Sequence, residues 1–316
     1  MARRSIPLSE IAAWLNVPLY NADLEINGLG LCNRTTVYPS ILSYITSLDY
    51  LGKALLNTNV KALLLSEEQY QALPPAYNER FSFLVSETPE DDFYRSHEWL
   101  YASTDFYGEK DFSPIIGRDC KIHRSAVIED GVVIGDRVTI GANSIVEKNS
   151  RIGNDVHIGS HSVIGCAGFQ ILRTRDGVPY NSTHVGGTVI GNNVWIGNHV
   201  NVSKALFEGD VQIGDNVQIA NMCDISHNCV VGENSVLCSN VVLLGSCVVG
   251  ADCWLSPKSV IMNRVTVGKG AMVGVHATVT KDVLPDSIVM GSPAVSRNEF
   301  INSRTIWKRI EQQGMK

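Results

Sequence analysis

The stretch IGDNVQIANMCDISHNCVVGENSVLCSNVVLLGSCVVGADCWLSPKSVIMNRVTVGKGAMVGVHATV, residues 213–279, carries an aliphatic side chain at every sixth position. These are Ile213, Ile219, Ile225, Val231, Leu237, Leu243, Val249, Leu255, Ile261, Val267, Val273 and Val279. A period of six fits neither a helix, at about 3.6, nor a strand, at about 2, and therefore marks a repeat. The same spacing runs upstream from Ile116 to Ile164, and again through Ile190, Ile196 and Val202. One hexad is too short to bury its own aliphatic residue, whereas stacked turns share a continuous core. A compact residue recurs four positions after the aliphatic one, as at Val217, Ser235 and Val241. Glycine often follows the aliphatic residue directly, as at Gly117, Gly135 and Gly214, where a bend brings backbones close.

This pattern resembles the left-handed parallel β-helix of hexapeptide-repeat acyltransferases, in which three hexads form one triangular coil of 18 residues. The left hand is implied by the resemblance alone, since parallel crossovers in general favour the right hand. The expected fold class is mainly β, with a small α/β domain before the coil and a short helix after it.

A chain of 316 residues has room for two domains. Hydrophobic residues at 44% and a net charge of −6 describe an ordinary globular protein and argue against a nucleic-acid partner. Arg3 and Arg4 precede no apolar block, and no run has the length of a membrane span, so the expected location is the cytoplasm. Cys120, Cys223, Cys229, Cys247 and Cys253 all fall in the compact inward position, where a free thiol serves as a small hydrophobe. No CxxC pair suggests a metal, and no metal is expected.

Residues 1–100 lack the period. Leu8, Ile11, Ala12 and Leu15 have helical spacing, and the apolar runs Ala62 to Leu65 and Phe81 to Val85 read as strands. Residues 101–114 are expected to form a connector, 115–284 the repeat domain and 285–316 a tail ending in a helix. The period breaks at 166–188, a loop holding Phe169, Arg173, Arg175, Asp176, Gly177, Tyr180 and His184. It slips again between Val202 and Ile213, eleven residues apart where two hexads need twelve. Loops ejected from a regular scaffold are where function concentrates.

His227 stands two residues after Ile225, while Cys229 fills the inward position, so the spacing turns His227 away from the core. Gly245 follows it by 18 residues, one coil further at about 4.8 Å. A histidine able to take a proton near neutral pH, beside a backbone N–H, is a pairing that suits acyl transfer.

The stretch Val189 to Gly232, with Ile219-Ala220-Asn221 and Ile225-Ser226-His227-Asn228, resembles the catalytic region of the UDP-3-O-(3-hydroxyacyl)glucosamine N-acyltransferases of lipid A synthesis. The resemblance covers roughly residues 5–295 and implies His227 as general base and Gly245 as oxyanion donor. It also implies a uridine-type nucleotide site in residues 1–100 with Tyr44 and Tyr50 holding the base, and substrate contacts from Phe169, His184, Asn221 and Asn228. A homotrimer and a nucleotide-linked amino sugar as acceptor are implied too. No cofactor would be permanently bound, acyl-coenzyme A (acyl-CoA) or acyl carrier protein (acyl-ACP) being a co-substrate.

The chain departs from that family at Tyr180 to His184, at Ala220 where an acid is expected, and at Arg264 where a second histidine is expected. Its closing segment, Val279 to Val283 with Gly291-Ser292-Pro293-Ala294, looks like that of coenzyme-A-dependent sugar acetyltransferases, which favours a coenzyme A donor. Two other classes stay open. One is a zinc enzyme like the γ-type carbonic anhydrases, using His157, His161 and His199; the other is a non-catalytic sugar-nucleotide binder.

Overall fold

The computed structural model describes residues 5–32, 38–108, 111–174, 176–207 and 209–312; Arg3, Arg4 and Arg175 lie outside them. The chain divides into two compact units. The first holds residues 1–109, 169–185 and 206–209, and the second holds 110–168, 186–205 and 210–316.

The second unit is built from the hexads. Its short strands assemble into three parallel sheets, and each strand pairs with the strand one coil away. Ile116 is opposite Ile134, which is opposite Ile152, so the pitch is 18 residues. Each aliphatic position is inward and buried, from Ile134 through Ile219 and Leu243 to Val279. Backbone bonds join the coils, such as Gly135 N–H to Ile152 carbonyl at 2.9 Å and Gly214 N–H to Val231 carbonyl at 2.8 Å. Side chains at the corners continue this bonding between coils. Asp136 Oδ1 accepts from the Arg118 N–H at 2.8 Å, Asn154 Oδ1 from Asp136 N–H at 2.8 Å, and Asn192 Oδ1 from Asn154 N–H at 2.9 Å.

The cysteines occupy the compact inward position as expected. All eight are free, and Cys223, Cys229, Cys247 and Cys253 are buried within the coil core; Cys120, near its first coil, is partly buried. Burial pushes the Cys223 thiol up to about 11, which keeps it neutral.

Two boundaries differ from the sequence reading. The coil does not stop at residue 284, because Ile288–Met290 adds one more parallel strand beside Met272–Val273. The step from Val202 to Ile213 is not two shortened hexads. Val202 and Ile213 sit on successive faces, and Ile190 pairs with Ile213 at 23 residues instead of 18. One hexad has therefore gained five residues, and the coil continues in register beyond them.

The first unit is a five-stranded sheet in the order Leu19–Tyr20, Ser82–Val85, Val60–Leu65, Ile41–Tyr44, Gly28–Leu29. Five helices occur along the described chain: α1 (Leu8–Leu15), α2 (Leu51–Leu56), α3 (Glu67–Gln71), α4 (Pro89–Ser103) and α5 (Arg297–Gln312). Alternation along the strands gives two cores. Leu42, Leu64 and Leu84 pack with α1 and α4, whereas Ile41, Leu63, Leu65 and Phe83 pack with α2. α4 runs through 101–103, so those residues are helix rather than connector. Among the described residues no helix is long and apolar enough to cross a membrane.

A Cβ on Gly135 would lie 2.7 Å from the Gly153 carbonyl oxygen, which is backbone and cannot swing away. Gly135→Ala should therefore lower stability by about 1–3 kcal/mol, read as an earlier urea midpoint. An unchanged midpoint would mean that the coils can spread at no cost.

Candidate active site

His227 and Gly245 occupy the same corner position on adjacent coils, because Asp224–Ile225 pairs with Val242–Leu243. The sequence turned the imidazole outward. It does leave the aliphatic core, yet it is only 9% exposed. The ring lies against Gly245, with Nε2 2.5 Å and Cε1 2.7 Å from where a Cβ would stand. Only glycine leaves room for that ring. The Ser246 N–H holds the His227 carbonyl at 2.8 Å, fixing the two coils together at the site.

The tautomer follows from the neighbours. Asn228, in the left-handed region at φ 59°, places Oδ1 3.0 Å from His227 Nδ1. Nδ1–H donates to that oxygen, so Nε2 carries the lone pair and faces Gly245. The Gly245 carbonyl accepts from the Arg264 N–H at 3.1 Å, while its own N–H donates to no described residue. An imidazole ring and a backbone N–H thus share one corner.

Asn221 is elsewhere. It follows Ile219 on a different sheet, and its Oδ1 accepts from the Asn198 N–H at 2.8 Å as part of the corner bonding. Tyr44 and Tyr50, expected to hold a nucleotide base, lie at the end of the Ile41–Tyr44 strand and in the turn Leu48–Tyr50. Tyr44 shares a sheet face with Leu42, bonds Glu90 through its hydroxyl at 2.8 Å and packs on Phe93. Tyr50 packs with the other core, under Lys53. Burial raises the Tyr44 hydroxyl far above its ordinary value, so it stays protonated.

The segment expected to be an ejected loop is tied down within the first unit. Ile171–Arg173 and Pro179–Asn181 form an antiparallel hairpin. Glu98 of α4 accepts from Ser182 Oγ at 2.8 Å, Thr183 N–H at 2.9 Å and Thr183 Oγ1 at 2.7 Å. Beside it, His97 accepts from Tyr107 at 2.6 Å and donates to the Thr183 carbonyl at 2.7 Å; burial lowers its pKa and keeps it neutral. His184 is buried too, with Nδ1 2.9 Å from the Ser182 carbonyl, whereas Phe169 is 79% exposed. The five-residue insertion delivers Phe207 to the same unit, with its ring 5.2 Å from Phe93 and 4.9 Å from His97. Glu98, His97 and Phe207 went unnoticed in the sequence. The eleven-residue step was the one available signal, because eleven is also six plus five.

The histidines named for zinc are paired with rings. His157 stacks on Trp195 at 5.6 Å and His161 on His199 at 5.0 Å. Among the described residues no group of three or more His, Cys, Asp or Glu side chains could hold a metal ion.

Comparisons with known proteins agree with the repeat geometry. Residues 113–148, 210–245 and 246–281 match the family described as bacterial transferase hexapeptide (six repeats). The fold is thus the left-handed parallel β-helix of hexapeptide repeats. A chloramphenicol acetyltransferase of Agrobacterium fabrum is 41% identical over 71 residues, 22% of this chain and 30% of that protein. An Escherichia coli chloramphenicol acetyltransferase is 44% identical over 52 residues, 16% of this chain and 25% of that protein. The chain therefore spans under a third of the length of these relatives. The solved UDP-N-acetylglucosamine acyltransferase of Campylobacter jejuni is 25% identical with a TM-score of 0.52, over 58% of this chain and 72% of that one.

Glu98→Ala removes the acceptor of three hydrogen bonds, each worth roughly 1.5 kcal/mol or more at a charged group. Limited proteolysis within 171–181 should quicken about tenfold or more while cutting in the coil stays unchanged. Equal cleavage rates would show that the hairpin is held by other contacts.

Proposed function

We propose that this protein is an acyltransferase that moves an acyl group from an acyl thioester to the amino group of a nucleotide-linked amino sugar. The observation that carries the reading is His227 Nε2 lying over Gly245, with the Gly245 N–H available among the described residues. The names of the similar proteins, acetyltransferases and a UDP-N-acetylglucosamine acyltransferase, support the same reaction class.

The steps follow from the geometry. The sugar amine attacks the thioester carbonyl carbon and forms the C–N bond. His227 Nε2 takes the proton that the nitrogen loses, and Nδ1–H to Asn228 Oδ1 holds the resulting imidazolium in place. The oxyanion accepts from the Gly245 N–H. When the C–S bond breaks, the Nε2 proton passes to the thiolate, leaving an amide and a free thiol. The base contributes roughly 10²–10⁴-fold, and the oxyanion donor about 10²–10³-fold. For the donor we favour coenzyme A over acyl carrier protein, on the closing segment Val279 to Val283 with Gly291 to Ala294.

Two variants and a donor screen test this. His227→Ala should lower kcat by about 10²–10⁴-fold with little change in KM. Gly245→Ala, which forces the ring aside, should cost a comparable factor while leaving the fold intact. Full turnover by His227→Ala would refute the assignment. Activity confined to carrier-bound long acyl chains would overturn the coenzyme A preference.

A further inference from the structure

The outer surface of the face that leads into His227 changes character at one level of the coil. In its column of outward side chains, Ile145 and Val163 lie on one side and Val242 and Val260 on the other, all aliphatic. Between them stand Asn201 and Asp224, paired on adjacent strands about 4.8 Å apart. Ile225 is fully buried in the core, so alternation turns Asp224 outward, where it is half-buried.

Among the described residues none donates a hydrogen bond to the Asp224 carboxylate, and none bonds the Asn201 side-chain amide. Lys204, which follows the Asn201–Ser203 strand, is held by Glu147 at 3.3 Å. Burial pushes the Asp224 carboxyl above its ordinary value, as expected of a carboxylate that has lost water and gained no donor. Asp224 leads into the corner of His227, three residues and at most about 10 Å of chain away. Its partner on the next coil, Val242, leads in the same way into Gly245. An acceptor and an amide thus stand together, unsatisfied, beside the reacting corner.

We propose that Asp224 and Asn201 bind a hydroxyl of the acceptor sugar beside its reacting amine, and so select which amino sugar presents its nitrogen to His227. The inference rests on the acyl-transfer reading. The carboxylate accepts the hydroxyl hydrogen, while the Asn201 amide N–H donates to the hydroxyl oxygen. The amine itself is the wrong partner for Asp224. A carboxylate bonded to it would hold the ammonium form, which has no lone pair with which to attack. A phosphate is repelled by the carboxylate, so the sugar and not the nucleotide's diphosphate lies over this pair.

Calorimetric titration of the full-length protein without acyl donor tests this. The ligands are UDP- and TDP-linked amino hexoses with the amine at each ring position and, for the tightest binder, its analogue deoxygenated beside the amine. The hydroxylated sugar should bind at least about tenfold more tightly than the analogue. Asp224→Ala should weaken the hydroxylated sugar by about the same factor and leave the Kd of the analogue unchanged. Asp224→Asn, which keeps an acceptor of the same shape, should recover part of the loss. Equal weakening of both ligands would overturn the proposal, because Asp224 would then hold the ammonium or the fold. Kd values untouched by Asp224→Ala, or no binding to the unaltered protein, would overturn it too. Mass spectra of the products separate this from the parent reading. Amide formed by a protein whose acceptor binding ignores Asp224 overturns only the present inference. Hydroxyl-selective binding that depends on Asp224, with no amide formed, supports the site and overturns the acyl-transfer assignment.

Discussion

Hydrogen bonding between coils 18 residues apart is the constraint on which the rest depends. It requires that corners of successive coils approach to backbone contact, and the glycine column through Gly135, Gly153 and Gly191 exists because a Cβ there meets the next backbone. Once the pitch is held, every sixth side chain is directed inward without further instruction. The core is then a stack of small equivalent layers, in which cysteine and serine serve as well as valine. The active-site arrangement is a local use of this approach. His227 takes the space that a side chain at Gly245 would fill, and the strand spacing sets the distance.

A scaffold of this kind tolerates insertions between faces but not within a paired strand. Both interruptions obey that rule: Ile152 still pairs with Ile190, and Ile190 with Ile213. The extra residues belong to the first unit, where Phe207, Thr183 and Ser182 complete packing and hydrogen bonding around α4. The first unit is thus made from three separate lengths of chain. Its hairpin is held by a neutral buried histidine and a carboxylate, which are strong anchors only while both keep those charge states.

Much of the coil was legible in the sequence because its signal is periodic and each layer repeats the same physics. The inward cysteines, α1 from Leu8, Ile11, Ala12 and Leu15, and the His227–Gly245 register all follow from counting residues. Counting failed where a single number had two decompositions. Eleven residues between Val202 and Ile213 can be two hexads less one or one hexad plus five, and only strand pairing decides. Counting says nothing of Tyr50, which lies beyond the strand Ile41–Tyr44, whereas alternation along that strand puts Tyr44 with Leu42. The outward direction of His227 was half the truth. Spacing shows which way a Cβ points, but the glycine one coil away lets the ring fold back into shelter.

The central claim is that His227 and Gly245 act together on an acyl thioester and a sugar amine. Mass spectrometry of the products formed from UDP-linked amino sugars and acyl-coenzyme A tests it most directly. The account predicts that the sugar nucleotide gains the mass of one acyl group at its amine and that one free thiol appears per amide. An unmodified sugar nucleotide across all amino sugars and acyl donors, carrier-bound ones included, would contradict it.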